Sequence, residues 1–519
     1  MPDGLVLVGM PASGKSSVGR IVAERLGRPF VDTDDLVAQR LGMPVPAYIE
    51  RHGEPAFRSA EADAVAAACR VGGAVIAAGG GAVLDPLNRW ALWHHGTVAW
   101  LDVAPDALVR RLAADAVARP TFQPYAVDRL AAVLDERAPA YRAADLRVDA
   151  SADPEAVAAV IVNRRGPPDG RRLYDAEVPR HHPIGPSTTR VVVGADLALD
   201  DVDGVAVIDR RLLKAAPRLI AGIHAHACLA LRAGEGAKRL SSVGRVLEWL
   251  ADQRVERGTA LVAVGGGTLG DLAGTAAALY ARGIPLVHVP TTWLAQADSA
   301  IGGKAGVDLR AAKNAAGAFW PPDAVHSDVA VLRSLPTAIR RDGMAESVKS
   351  ALIGDPALWR LIEERGAAAL RTDEAARYAI VERSARLKLA VCARDPFEAG
   401  ERRTLNLGHT IGHALEVESR YRLRHGAAVA LGMRAVAAIA ARRGAPADLA
   451  PRLDDMLATL GYTLTRAFDA QAVRDAMVAD KKRLAGRQRW ILPMDVGSVV
   501  EVDDVTDDAI GAALETIAA

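Results

Sequence analysis

The chain has 519 residues, half of them hydrophobic, and a formal charge of +1 from 64 Lys+Arg against 63 Asp+Glu. That length allows three or four ordinary domains, fewer if large α/β units are present, and the balanced charge argues against a global pull toward nucleic acid or an anionic membrane. Cys69, Cys228 and Cys392 lie far apart in apolar surroundings without CxxC pairing, so they read as buried thiols of a reducing cytoplasm rather than a disulfide framework.

Residues 4–8 (GLVLV) form an apolar run of the kind found in a central parallel strand. Nothing before them has the basic segment or cleavage site of a signal peptide, and no window reaches about 18 uninterrupted apolar residues, so no membrane span is expected. The strand leads into Gly9–Ser16, GMPASGKS, and then a helical pattern, SVGRIVAERLG. Strand, GxxxxGK[ST] and helix in that order make a phosphate-binding loop. Its glycines let backbone amides turn onto phosphate oxygens at a helix N-terminus. Ala12, Ser13, Gly14, Lys15, Ser16 and Ser17 then face a nucleotide, Lys15 as a cation near the β and γ phosphates and Ser16 as a hydroxyl for Mg²⁺.

Behind the loop come FVDTDD at 30–35, HGEPAFRSAE with Arg58, AAGGGAV with Gly79–Gly81, Arg119–Pro120 after WLDVAPDALVRRL, and ERAPAY with Arg137. Any one Arg or Asp here could be a surface charge, but the ordered series over residues 1–165 closely resembles shikimate kinase. The resemblance implies a parallel-sheet P-loop domain with helices on both sides, acting on ATP and shikimate. By it, Asp32 holds Mg²⁺ through water beside Ser16, and Asp34 orients or deprotonates the acceptor hydroxyl. Arg58 and Arg137 clamp the shikimate carboxylate with their guanidinium forks, Gly80 approaches the ring by backbone, and Arg119 on a lid neutralises the transferring phosphoryl group. Two departures stand out. The lid reads RPTF where the family has leucines after Arg-Pro, and Ser151–Pro154 lacks the arginine some relatives use near adenine, leaving Arg111 as the adenine contact. A nucleotide-sensing module is the non-enzyme alternative; Asp34, Arg58 and Arg137 argue against it, because a sensor needs no acceptor site.

Residues 166–187 shift to Pro, Gly and charge without periodicity, which predicts an interdomain linker containing His181 and His182. From Thr188 a second α/β unit begins. TRVVVG and GVAVIDRR read as strands, with Asp209 ending the second, where an acid can hydrogen-bond a ribose. GEGAKR (234–239) and an amphipathic helix through Leu250 follow. The strand ALVAVGGG then runs into TLGDLAGTAAALYARGI. Three glycines ending a strand and opening a helix form a pyrophosphate site, and the lack of a clean GxGxxG points to a Rossmann-like variant. After PLVHVP, Thr291 and Thr292 lead into WLAQADSAIGGKAGVDLRAAKN, a ligand-lining loop carrying Asp298, Lys304, Lys313 and Asn314.

The remainder, from about Pro336, reads as mostly helical. Glu346 lies in GMAESVKSALI, and LNLGHTIGHALE (405–416) carries His409 and His413 four residues apart, on one helix face. His425 follows in Arg424–His425–Gly426. One Glu with two or three His is the ligand set of a catalytic Zn²⁺ with a position left open, although a lone His-x₃-His is also compatible with solvated or core-capping histidines.

Together GEGAK, GGGTLGDLAG, YARGI, PTTWLAQADSAIGGK, KN, AESVK, ERRTLNLGHTIGHALE, HGAAVALGM and DKKR make residues 188–519 similar to 3-dehydroquinate synthase. The resemblance implies an α/β NAD-binding part over 188–335 and an α-helical metal and substrate part over 336–519. Glu346, His409 and His425 become the ligands of Zn²⁺ (or Co²⁺), and His413 a substrate-contacting or proton-relay residue. NAD contacts fall on Asp209, Glu235, Lys238, Gly267, Thr268, Leu269, Gly270, Asp271, Thr291, Thr292, Lys304 and Lys313. The substrate, 3-deoxy-arabino-heptulosonate 7-phosphate, meets Arg282, Asp298, Lys304, Asn314, Lys349, Lys388, Arg402, Asn406, His413 and Lys482, with Lys304 and His413 also serving the chemistry. So many cations suit a substrate bearing both phosphate and carboxylate. In the implied reaction NAD⁺ accepts and returns a hydride, phosphate leaves by β-elimination, and an intramolecular aldol step closes a carbocycle. One position departs: the glutamate usual two residues after the third ligand is Ala427 here, which weakens metal holding if that glutamate supports the site. The resemblance also implies a homodimer through this unit. A metal-dependent polyol dehydrogenase or another sugar-phosphate cyclase are the alternatives. The Lys/Arg set argues against the first, and Lys313–Asn314 beside a shikimate kinase partner argues against the second.

Overall fold

The computed structural model describes residues 4–43, 45–114, 123–163, 170–182, 185–310, 312–479, 483–484 and 487–519. The chain divides into two compact units, Met1–Glu177 with Val191–Ala198, and Val178–Arg190 with Leu199–Ala519.

In the first unit β1 (Gly4–Val8), β2 (Phe30–Asp32), β3 (Val75–Ala77), β4 (Gly96–Asp102) and β5 (Leu146–Asp149) form one sheet in the order β2-β3-β1-β4-β5. Every neighbouring pair is parallel. The apolar run of β1 is buried along its whole length, as a strand covered on both faces requires. Helix α1 (Lys15–Leu26) starts directly after Gly14, whose φ of 95° favours glycine. The strand order reverses at β1, so its carboxyl end opens onto the crevice where α/β sheets bind ligands. Helices α2 (Glu54–Cys69) and α3 (Val127–Tyr141) carry the arginine-bearing motifs.

The second sheet has seven strands in the order β6-β7-β14-β11-β10-β8-β9. Its members are β6 (Arg171–His182), β7 (Gly185–Ala195), β8 (Asp203–Asp209), β9 (His224–Leu231), β10 (Leu261–Gly265), β11 (Leu286–Pro290) and β14 (Ala324–Asp328), while β12 (Lys304–Leu309) and β13 (Ala312–Phe319) make a separate antiparallel hairpin. From β9 to β14 the pairings are parallel. Helix α4 (Gly267–Leu279) leaves the end of β10, the predicted strand, glycine turn and helix. The helical part includes α5 (Thr337–Gly354), α6 (Glu374–Arg394), α7 (His409–Glu418) and α8 (His425–Ala441).

Three expectations are corrected. Much of the supposed linker is strand: β6 begins at Arg171 and buries Leu173, Tyr174 and Ala176. It sits at one edge of the sheet, where Pro179 and charged residues are tolerated because one row of backbone groups needs no strand partner. His181 and His182 belong to this strand, and residues 166–169 lie outside the described residues. The supposed loop after Thr292 is a π-helical turn (Ala295–Ser299) followed by the β12–β13 hairpin; such turns frequently mark functional sites. Of the cysteines only Cys392 is buried; Cys69 is half-buried, and Cys228 is exposed on the opposite edge strand, β9. No helix among the described residues is long and apolar enough to cross a membrane.

Candidate active sites

At the end of β1, Lys15 Nζ donates to the carbonyls of Gly9 (3.1 Å) and Met10 (3.0 Å), folding the loop over its own lysine. Ser16 Oγ donates to Asp32 Oδ2 at 2.6 Å, so the two groups expected around Mg²⁺ already meet. The other Asp32 oxygen accepts from the Asp34 amide at 3.0 Å and caps the next helix. Arg111 reaches the Ala12 and Ser13 carbonyls at 3.5 Å and the Ala150 carbonyl at 2.8 Å.

Gly79–Gly81 is ringed by the residues expected at the acceptor. A Cβ on Gly79 would lie 2.5 Å from Asp34 Oδ1, and one on Gly81 would lie 2.9 Å from Arg58 Nη1. Arg137 donates to the Gly80 carbonyl at 3.0 Å, and Tyr141 to the same oxygen at 2.8 Å. Arg58 is held by Glu54 (2.9 Å) and Glu61 (2.8 Å). Glu61, 4% exposed, was not legible as a site residue; its spacing of three from Arg58 is the signal that could have found it. Burial raises its carboxyl pKa, and the Arg58 guanidinium opposes that rise. Arg119 lies outside the described residues.

In the second unit the glycine turn is packed so tightly that a Cβ on Gly267 would lie 2.5 Å from Ser299 Oγ. Thr268 and Leu269 line a cavity with Arg232 and Arg245; Gly267, Gly270 and His288 line another. The Thr291 amide donates to the Gly265 carbonyl at 2.9 Å, and Thr292 Oγ1 accepts from the Ala295 amide at 3.3 Å. Asp209 is engaged through both oxygens by Arg211, the shortest contact 2.6 Å. Buried Lys238 joins Asp271 and the Asn314 side chain. Lys313 stands 3.7 Å from Glu235, 3.8 Å from Glu416 and 5.2 Å above the Tyr421 ring.

A second charged chain runs beneath. Lys388 meets Asp298 at 2.8 Å, Lys349 approaches Asp298 at 3.8 Å, and Lys349 pairs with Glu346. Glu398 pairs with Lys304 and accepts from Asn406 at 2.9 Å. Burial lowers the Lys304 pKa, against the opposing pull of Glu398. Arg402, 1% exposed, donates to the Gly302 carbonyl at 2.8 Å. Arg282 is the exception among the expected substrate residues: it is exposed, beyond the C-terminal end of α4, about 20 Å along that helix from the glycine turn. Lys482 lies outside the described residues.

The metal-ligating candidates arrive on three helices, Glu346 from α5, His409 opening α7 and His425 opening α8. Gly432 lets α7 and α8 approach, since a Cβ there would lie 1.9 Å from the Gly408 carbonyl oxygen. Glu346 Oε1 is 3.1 Å from His425 Nε2 and 3.5 Å from His409 Nε2. One ligand atom from each of the three lies within 4.8 Å of the others. His409 Nδ1 faces the Leu407 carbonyl at 3.1 Å and His425 Nδ1 faces Glu416 Oε1 at 3.1 Å. Both Nε2 atoms therefore turn toward Glu346. A carboxylate and two imidazoles so oriented fit a divalent cation of the Zn²⁺ or Co²⁺ type.

Burial would raise the Glu346 pKa, but the Lys349 ammonium and His409 hold it well below the usual carboxylate range. Burial would lower that of His425, yet hydrogen bonds to Glu346 and Glu416 carry it up to about 10. The His413 ring stacks edge-on to His409 with centroids 5.1 Å apart. Neither Glu416 nor Glu398 is marked as a site residue by its motif alone. Glu416 was within reach, three residues beyond His413 on the same helix face.

Residues 11–165 match the shikimate kinase family model. Residues 228–341 and 343–483 match the 3-dehydroquinate synthase N-terminal and C-terminal models. A 3-dehydroquinate synthase of Symbiobacterium thermophilum is 44% identical over 289 residues, 55% of this chain and 81% of that protein. One from Cereibacter sphaeroides is 42% identical over 304 residues, 57% of this chain and 82% of that protein. Among solved structures, 2-epi-5-epi-valiolone synthase from Streptomyces hygroscopicus, with NAD⁺ and Zn²⁺ bound, is 30% identical and covers 65% of this chain and 99% of that one, at a TM-score of 0.60.

Proposed function

We infer, because the chain belongs to the 3-dehydroquinate synthase family and carries a shikimate kinase domain ahead of the synthase, that it is a bifunctional shikimate-pathway enzyme. The first activity transfers a phosphoryl group from MgATP to shikimate. The second converts 3-deoxy-arabino-heptulosonate 7-phosphate to 3-dehydroquinate with release of phosphate. The observation that carries the second reading is the convergence of Glu346, His409 and His425 beside the lysines and Asp298.

In the kinase, Lys15 and the loop amides hold the phosphates, Ser16 and Asp32 hold Mg²⁺, and Arg111 borders the adenine. Asp34 takes the acceptor proton while Arg58 and Arg137 clamp the shikimate carboxylate beside Gly80, and Arg119 serves the transferring group. The assignments of Asp34, Arg58 and Arg137 rest on the ring of groups around Gly79–Gly81.

In the synthase, Asp209, Glu235, Lys238, Asp271, Thr291, Thr292, Lys313 and the glycine turn hold NAD. Bound there, NAD⁺ supplies reversible hydride acceptance, and Zn²⁺ or Co²⁺ at Glu346, His409 and His425 supplies Lewis acidity at the hydroxyl being oxidised. Lys304, Asn314, Lys388, Arg402 and Asn406 bind the substrate's phosphate and carboxylate. Glu398 engages Lys304 and Asn406, so an incoming anion must displace its carboxylate. His413, beside His409, moves the proton. A cytoplasmic homodimer through the synthase unit completes the reading.

The 30% identity to 2-epi-5-epi-valiolone synthase favours one rival, a cyclase for a different sugar phosphate. The deciding assay measures phosphate release from 3-deoxy-arabino-heptulosonate 7-phosphate with NAD⁺ and Zn²⁺, beside shikimate-dependent ADP formation. Both are expected. Turnover of another sugar phosphate alone would favour the rival cyclase, net NADH without phosphate a dehydrogenase, and ATP binding without shikimate turnover a sensor.

A further inference from the structure

Glu416 has no role in the function argued so far, yet it is among the more deeply buried carboxylates of the second unit, 3% exposed. It lies on α7, one turn from His413 and two from His409. Its Oε1 stands 3.1 Å from His425 Nδ1, while His425 Nε2 stands 3.1 Å from Glu346. Its Oε2 is also buried and accepts no hydrogen bond among the described residues; the Lys313 ammonium lies 3.8 Å away. Burying a carboxylate is costly unless its charge is answered. Here the partners are one ring nitrogen of a metal-ligand candidate and one cation of the cofactor-facing hairpin.

We propose that Glu416 is the positioning residue of the metal centre: by accepting the His425 Nδ1 proton it fixes the tautomer and ring plane that direct the Nε2 lone pair at the cation. An imidazole has one proton to place when neutral, and a carboxylate acceptor at Nδ1 commits it there and raises the basicity of Nε2. His409 obtains the same commitment from a backbone carbonyl, that of Leu407 at 3.1 Å. His425 opens α8 as its first residue, and Glu416 supplies the acceptor for its Nδ1 from the neighbouring helix. Position 427, where the family usually has a glutamate, is alanine, so the weakening expected from that departure is offset by a carboxylate nine residues upstream of the ligand. Lys313, drawn toward both Glu235 and Glu416, ties the same carboxylate to the cofactor side.

The proposal rests on the ligand assignment above, so its test includes an arm for that assignment. Co²⁺ and Zn²⁺ affinities of the full-length protein are measured by chelator competition, with the Co²⁺ visible spectrum and ¹⁵N-histidine NMR of the Zn²⁺ form. Glu416→Ala is expected to lose affinity by about 10- to 100-fold, with the Co²⁺ spectrum retained at saturation and the His425 Nδ1–H signal shifted by loss of its carboxylate hydrogen bond. Glu416→Gln keeps the volume and one acceptor oxygen, so it should fold and lose less than Glu416→Ala. Affinity in Glu416→Ala within twofold of the parent overturns the proposal. So does a changed Co²⁺ spectrum in Glu416→Gln, which would make Glu416 a ligand together with His413 and His425, a trio whose ligand atoms also fall within 4.8 Å of one another. His425→Ala separates the two failures: unaltered affinity there refutes the ligand set itself, whereas loss there without loss in Glu416→Ala refutes only the role of Glu416.

Discussion

At the scale of single residues, the buried charges are the most exposed to test. Glu346 is 1% exposed and answers both imidazoles and Lys349, so Glu346→Ala leaves the buried Lys349 ammonium to the longer 3.8 Å pairing with Asp298 and removes a candidate metal ligand together. Glu346→Ala and His409→Ala should each abolish phosphate release while shikimate phosphorylation continues at the parental rate; undiminished phosphate release in either would refute the metal assignment. His288 offers a different measurement. Its ring is buried against α4, and burial pushes its pKa from 6.5 down to about 4. Between those values the unfolded chain binds a proton that the folded chain refuses. The contribution is therefore complete above pH 6.5 and is lost as pH falls through about 4, on the order of 3 kcal/mol. Denaturant unfolding followed from pH 7 to 4 should show a shallower loss of stability in His288→Gln than in the parent, and parallel curves would refute it.

At the scale of elements, the candidate metal ligands are held by helix packing rather than by loops. Gly432 on α8 faces the Gly408 carbonyl at a distance that leaves no room for a methyl group. Gly432→Ala forces α7 and α8 apart, a cost toward the upper end of about 1–3 kcal/mol, and moves His409 relative to His425. Weaker Zn²⁺ binding together with an earlier unfolding transition of the synthase unit is expected; unchanged Zn²⁺ affinity would show that the helix separation does not set the ligand geometry. Elements also explain what was misread. Lys304–Asn314, the second half of the expected ligand loop, hides its strands because glycines and charges obscure alternation, but Gly317 is required for strand pairing, since a Cβ there would lie 2.0 Å from the Ala305 carbonyl oxygen. Arg171–His182 looked like a linker because an edge strand tolerates proline and charge.

At the scale of the whole molecule, the two activities draw on different chemistry and should respond separately. Stripping the full chain with a Zn²⁺ chelator, followed by dialysis and assay with fresh MgATP, should silence phosphate release and spare ADP formation. Zn²⁺ or Co²⁺ should then restore the synthase; coupled loss of both activities would contradict separate centres. The sequence alone determined the phosphate loop and the glycine turn after β10, because local backbone chemistry is written in contiguous motifs, and it singled out Glu346, His409 and His425 as the candidate ligand set only through resemblance to a family. Only the tertiary structure decided which nitrogen of each imidazole faces Glu346, that Glu416 takes the other nitrogen of His425, that Glu398 reaches Lys304 and Asn406, and that Arg282 stands at the far end of α4. Those are distances between residues far apart along the chain or on different elements, set by how helices and strands pack, and no spacing along the chain encodes them.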